Sequence, residues 1–159
     1  MDFMIEILEE LKVEIIVMFF SMLPLIELRG AIPLGISLGL NPWQSAIISI
    51  LGNILVVFIL LNILNPVMIH FERTKFFSAT LGKIKERSMK KSSVIKKYSL
   101  LGLFIFVSLP IPTTGAWTGA LISSILKLDV KKAFVSMSLG IVVAGIITLT
   151  ISHSIFTIL

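Results

Sequence analysis

Two apolar stretches of this chain are interrupted at their centres, and those interruptions constrain the fold more than any other feature. The first reads Leu23-Pro24-Leu25-Ile26-Glu27-Leu28-Arg29-Gly30-Ala31-Ile32-Pro33, the second Leu109-Pro110-Ile111-Pro112-Thr113-Thr114-Gly115-Ala116-Trp117. An uninterrupted apolar run follows each. Irregular backbone at membrane depth is tolerated only where protein or a water-filled cavity satisfies its polar groups. Broken helices in corresponding halves of a chain mark the place where a membrane carrier holds its cargo.

The membrane setting follows from composition. Of 159 residues, 56% are hydrophobic, and the mean hydropathy is +1.03. A water-soluble domain of this length would expose too much of that surface. The chain reads as one membrane domain spanning 1–159. Its first residues carry neither a basic region nor a small-residue cleavage site, so no signal peptide is expected. Cysteine is absent, which removes disulfides, thiolate chemistry and cysteine metal sites. The net charge of +5 is no nucleic-acid signal, because the basic residues cluster between apolar segments.

Residues 43–64 and 133–155 are free of charge. At 1.5 Å per residue each is about 33 Å long, enough for one crossing. The interrupted regions 13–40 and 98–127 have arms of roughly half a bilayer and read as re-entrant hairpins, each entering and leaving on one side. The alternative is two kinked crossings. Charge favours the hairpins. Nine of the 14 basic residues lie between Arg73 and Lys97, and Lys127, Lys131 and Lys132 follow the second hairpin. With hairpins, all twelve face the cytoplasm, as the positive-inside bias requires. The halves 1–64 and 98–159 then have opposite orientation, which makes an inverted repeat. Small residues recur every four positions, at Ala31, Gly35 and Gly39 and at Gly115, Gly119 and Ser123, and Leu51-Gly52 matches Leu139-Gly140. These anchors differ in register, so the repeat needs an insertion or deletion between them.

Segment 66–97 carries nine basic and two acidic residues and reads as amphipathic helix on the cytoplasmic surface, attracted to anionic lipid. A solvated basic loop is the simpler reading. Residues 2–12 form a second amphipathic stretch.

Glu27 and Arg29 are the charges placed deep in the bilayer. Each costs several kcal/mol there and marks a candidate site; a self-neutralising structural pair is the alternative. Glu27 is a candidate proton carrier, and Arg29 a candidate fork for a phosphate or carboxylate. Both outgoing arms are expected to start at the tips, at Gly30 and Gly115, and to present free amide N–H groups to an anion. Pro33 suits the first turn of its arm, and Thr113 or Thr114 would cap the other. Pro110 and Pro112 complete the second tip. Asn53, central in the first crossing, more often makes an interhelical hydrogen bond than a ligand contact. Trp117 lines the cavity or packs within it. His70 and His153 have no partner at ligand spacing, so no metal is assigned, and no cofactor or catalytic motif is found.

Around Glu27-Leu28-Arg29-Gly30-Ala31-Ile32-Pro33-Leu34-Gly35 and from Pro110 to Ile122, the chain resembles the putative small multidrug export protein family, itself similar to the DedA (VTT-domain, SNARE-associated Golgi protein) superfamily. The resemblance covers essentially the whole chain. It implies re-entrant hairpins and transport of lipids or amphiphiles, with the roles of acidic and arginine residues falling on Glu27 and Arg29. The expectation is an all-α polytopic protein of the cytoplasmic membrane. Its first reading is a translocase for an anionic lipid or amphiphile. Its second is a proton-coupled multidrug exporter, and a non-transporting scaffold is the third. The expected partners are anionic membrane lipids, a small amphiphilic substrate and a second copy in a homodimer, with no nucleic acid.

Overall fold

The computed structural model describes residues 2–71, 92–110 and 115–158. They form six helices and no strand: α1 (Asp2–Met22), α2 (Glu27–Ser37), α3 (Pro42–Phe71), α4 (Ser92–Ser108), α5 (Ala116–Ile125) and α6 (Val130–Ile158). Two stretches are long and apolar enough to cross a membrane, Pro42–Leu64 in α3 and Val130–Ile155 in α6. Their outward faces are as apolar as their inward ones. Trp43, Ile47, Leu51 and Leu55 are exposed at four-residue intervals on α3, and Val135, Leu139 and Ile146 at intervals of four and seven on α6. Such all-round hydrophobicity suits a helix whose outer face meets lipid.

Three boundaries differ from expectation. Residues 2–12 are the first part of a longer helix, because α1 runs unbroken to Met22. The helix of the first crossing continues past Leu64 and through Pro66 to Phe71. The expected surface segment 66–97 therefore begins as α3 and ends as α4, and its middle, 72–91, lies outside the described residues.

The breaks fall as the sequence suggests. Residues 23–26 separate α1 from α2, and 109–115 separate α4 from α5. α2 has 11 residues and α5 has 10, about 15 Å each, half a hydrocarbon core. α2 starts at Glu27 rather than Gly30. The Glu27 N–H already donates to Leu23 O (3.0 Å), and that of Gly30 to Ile26 O (3.0 Å). Pro33 consequently sits inside the helix, not in its first turn, and gives the Arg29 carbonyl no intrahelical donor.

The turns leaving the short helices are near copies. After α2, Gly39 has φ +97°, and N–H groups of Gly39 and Leu40 donate to Ile36 O and Gly35 O. After α5, Lys127 has φ +51°, and Lys127 and Leu128 donate to Ser124 O and Ser123 O. In both cases a left-handed residue closes the helix end and a buried leucine follows. Asn41 Oδ1 then accepts from Trp43 N (3.0 Å), and Asp129 Oδ1 from Lys132 N (3.0 Å), at the starts of α3 and α6. The two turns lie 88 residues apart (127 − 39), the separation that also joins Gly52 to Gly140. No insertion or deletion is needed. In this register Ala31 pairs with Gly119 and Gly35 with Ser123, all buried. Gly39 and Gly115 leave the expected small-residue stripe, the first as an exposed left-handed turn and the second as the N-cap of α5.

Side contacts fix the levels of the elements. Gln44 Nε2 donates to Glu10 Oε1 (3.0 Å) and Glu14 Oε1 (2.5 Å). Further along, Gly52 approaches Met18 O and Ser21 Oγ so closely that a Cβ would collide with them. α1 therefore runs parallel to α3 and ends beside Gly52, at the middle of the Pro42–Leu64 stretch. Likewise Ser136 Oγ donates to Leu100 O (2.6 Å), and a Cβ on Gly140 would collide with Phe104 O. α4 thus runs parallel to α6 and ends near the middle of its apolar length. The core is built where α3 and α6 meet each other and the short helices, around Leu28, Ile32, Val57, Leu61, Met137 and Ile141.

Candidate functional site: two crossed helix breaks

The interrupted segments meet, and each is completed by side chains of the other. Glu27, the first residue of α2, is 7% exposed and has φ +50°. That left-handed backbone costs a non-glycine residue about 1–2 kcal/mol. It aims the carboxylate at the start of α5, where it accepts the backbone N–H groups of Ala116 and Trp117. A helix start has four amide donors without intrahelical partners and a partial positive charge. The Glu27 carboxyl satisfies two of them from another segment.

Gly115 makes this contact possible. Its backbone is extended, φ −106° and ψ −163°, which any residue adopts, so conformational freedom is not why glycine stands there. A Cβ on Gly115 would fall on Glu27 Oε1 and Oε2. The N-cap of α5 is accordingly Gly115, without a side-chain cap of its own. Thr113 and Thr114 were expected to cap this helix. With Pro112 they lie outside the described residues.

Arg29 serves the other side of the same break. Its Nη2 donates to Leu109 O (2.7 Å), just past the end of α4, where helix carbonyls lack donors and favour a cation. The return contact comes from Trp117, whose Nε1 donates to Met22 O (3.0 Å), the last residue of α1. Arg29 and Trp117 stand 88 residues apart (117 − 29), the spacing of the turn motifs. The two side chains therefore do equivalent work: each leaves its own short helix and ties off the end of the arm entering the opposite break. Ser21 and Ser108 bond back within those arms, to Met18 O (2.6 Å) and Phe104 O (2.7 Å).

The sequence singled out Glu27, Arg29, Gly115 and Trp117 without their pairing, and the structure brings these four together. Gly30 does not open a helix; it lies within α2 against the Ile26 side chain. The expected anion site at two vacant helix starts is altered accordingly, because the start of α5 is filled by Glu27. Pro110 is half-buried next to Leu109. Asn53 is 1% exposed, and its Oδ1 has no hydrogen-bond partner among the described residues, against the expectation of an interhelical bond. Ser49 Oγ, one turn earlier on α3, is in the same position. Ser45, before it, donates to Ile32 O (2.8 Å). The i, i+4, i+8 spacing of Ser45, Ser49 and Asn53 in an otherwise apolar crossing was the signal for this polar stripe. Among the described residues, no three His, Asp or Glu side chains converge as metal ligands.

Known proteins bear on this arrangement. Comparison with curated proteins and with solved structures returns no match. A family model described as "Putative small multi-drug export protein" matches residues 27–147, from Glu27 itself into the second half of α6. That match takes in both short helices, α3, the first part of α6 and the second break. With two helices of spanning length and composition, it marks the chain as a membrane protein. The chain belongs to this small multidrug export protein family.

Proposed function

We propose that this protein exports amphiphilic small molecules across the cytoplasmic membrane, coupled to protons through Glu27, with its two breaks forming the tips of oppositely oriented re-entrant hairpins. The observation that carries the reading is the crossed capping: Glu27 and Arg29 complete the second break, and Trp117 completes the first. The levels of α1 and α4 beside α3 and α6 support hairpin tips at mid-membrane depth, and the constant spacing of 88 residues supports an inverted repeat. Family membership supports export.

The carboxylate holds the start of α5 by charge-assisted bonds, which are about twice as strong as neutral ones. Protonation turns it into a weaker acceptor and loosens one hairpin from the other. Proton binding and hairpin arrangement are then linked, as coupled export requires. Translocation of an anionic lipid, the DedA-type reading, draws on amide donors at the tips; at α5 Glu27 already occupies them. A scaffold role leaves the buried charges without a task.

Proteoliposomes test the proposal. A fluorescent cationic amphiphile should leave the vesicles in response to an imposed pH gradient. Glu27→Gln should abolish that response, and Arg29→Lys should reduce it. Gradient-driven efflux unchanged in both variants would overturn the assignment. Scrambling of a labelled phospholipid, lost on Arg29→Lys, would replace it with lipid translocation.

A further inference from the structure

Away from the crossed breaks, α4 and α6 leave a groove of about 590 Å³ open on the outer surface of the bundle. Its floor is held by the Ser136–Leu100 hydrogen bond and by the close approach at Gly140. Leu101, Phe104, Val135 and Leu139 form its walls, and Lys131 and Lys132 stand at one end. The apolar walls offer no hydrogen-bonding group, whereas the end carries two adjacent exposed ammonium groups. Such a site suits a molecule with a hydrocarbon body and an anionic head, and its volume lies within the range of ligand pockets.

The lysines sit in the first turn of the Val130–Ile155 apolar stretch, the level at which a spanning helix meets lipid head groups. Helix dipole and side chains add there, since the N-terminal end of α6 is itself partially positive. Lys127 adds charge in the preceding turn, and the sequence places Lys96 and Lys97 one turn before Leu101 on α4. Asp129 opposes them, but its carboxylate accepts the Lys132 N–H as the cap of α6.

We infer that this groove is a binding site for an anionic phospholipid, its phosphate between Lys131 and Lys132 and an acyl chain along Phe104, Val135 and Leu139. The inference stands apart from the exported substrate, since none of these residues takes part in the crossed breaks. The bound lipid would fix α4 against α6 at the cytoplasmic end and select membranes rich in acidic head groups.

Native mass spectrometry of the full chain from nanodiscs containing equal phosphatidylglycerol and phosphatidylcholine tests this. The expected result is preferential retention of phosphatidylglycerol. Lys131→Gln with Lys132→Gln should lower that retention roughly thirtyfold, at the usual worth of two lysines near an anionic surface. Val135→Trp, which fills the groove and leaves the charge, should also lower it. Lys12→Gln, an exposed control paired with Glu9, should not. Equal retention of both lipids by the native chain, or retention unchanged in both the lysine and the Val135 variants, would overturn the assignment.

Discussion

Gly115→Ala is the sharpest test of the crossed capping, because the three atoms nearest the added methyl group all belong to Glu27. The extended backbone of Gly115 accepts alanine without strain. The new Cβ would instead lie on the Glu27 carboxylate, which must swing away from Ala116 and Trp117. Hydrogen bonds to a charged group are worth about 1.5–3 kcal/mol each. Removing the partner of a buried charge costs about 3–5 kcal/mol. Allowing for relaxation, Gly115→Ala should destabilise the protein by about 3 kcal/mol. In a Glu27→Ala background the methyl enters space the carboxylate has vacated. The same change should then cost less than about 1 kcal/mol, since alanine at a compatible position also restricts the unfolded chain.

The two substitutions should therefore couple by about 2–3 kcal/mol, well beyond the tolerance expected of independent sites. Reversible unfolding of the protein in mixed micelles, followed by the fluorescence of Trp43 and Trp117, measures all four corners of the cycle. Gly145→Ala supplies the control. Its Cβ would meet Ile50 on α3, so its cost should add to that of Glu27→Ala. Additive behaviour of Gly115→Ala and Glu27→Ala, within about 0.5 kcal/mol, would refute the idea that Glu27 caps α5.

Three further outcomes follow from the same geometry. Trp117→Phe removes the donor to Met22 O but keeps most of the ring; it should cost about 1 kcal/mol in the same unfolding assay. Lys127→Gly relieves a left-handed backbone (φ +51°) and Gly39→Ala creates one (φ +97°), so the first should stabilise and the second destabilise, by about 1 kcal/mol each. Single cysteines at the exposed positions Leu38 and Lys131, in this cysteine-free chain, should react with an impermeant maleimide from opposite faces of the membrane; labelling from one face would discard the hairpin topology.

The sequence disclosed what depends on local chemistry. Uncharged runs located α3 and α6, and Pro with Gly located the breaks. Glu27 and Arg29 stood out because charge is costly among apolar residues. What it did not disclose depends on contacts across the chain. The carboxylate that caps α5 stands 89 residues (116 − 27) before the first amide it holds. No capping pattern near Thr113 and Thr114 can reveal a cap supplied from so far away. The 88-residue spacing of the two turns was missed for a related reason. Glycines were matched by identity, whereas Gly39 and Gly115 do different jobs, one supplying a positive φ and the other room for a carboxylate. Gly39 corresponds to Lys127, a residue no glycine pattern would select. Pro33 misled as well: prolines favour the first turn of a helix, yet here the ladder had already begun at Glu27.

Crossed capping has a consequence that self-capping would not have. Had each break been capped from within itself, the two segments could shift past each other without exposing a helix end. Here any relative movement must release Ala116 and Trp117 from Glu27, Leu109 from Arg29 or Met22 from Trp117. With Glu27 ionised, its two bonds and the one from Arg29, at about 1.5–3 kcal/mol each, make a lock of roughly 5–9 kcal/mol before new partners are found. Reversing a two-state equilibrium from 1:99 to 99:1 takes about 5.5 kcal/mol. The lock is thus strong enough to hold one arrangement at rest. In the proposed export cycle, a proton on Glu27 together with a substrate group that replaces part of the lock would turn the balance. The proposed carrier of two half-length hairpins needs that match in size, and Glu27 and Arg29 together supply it.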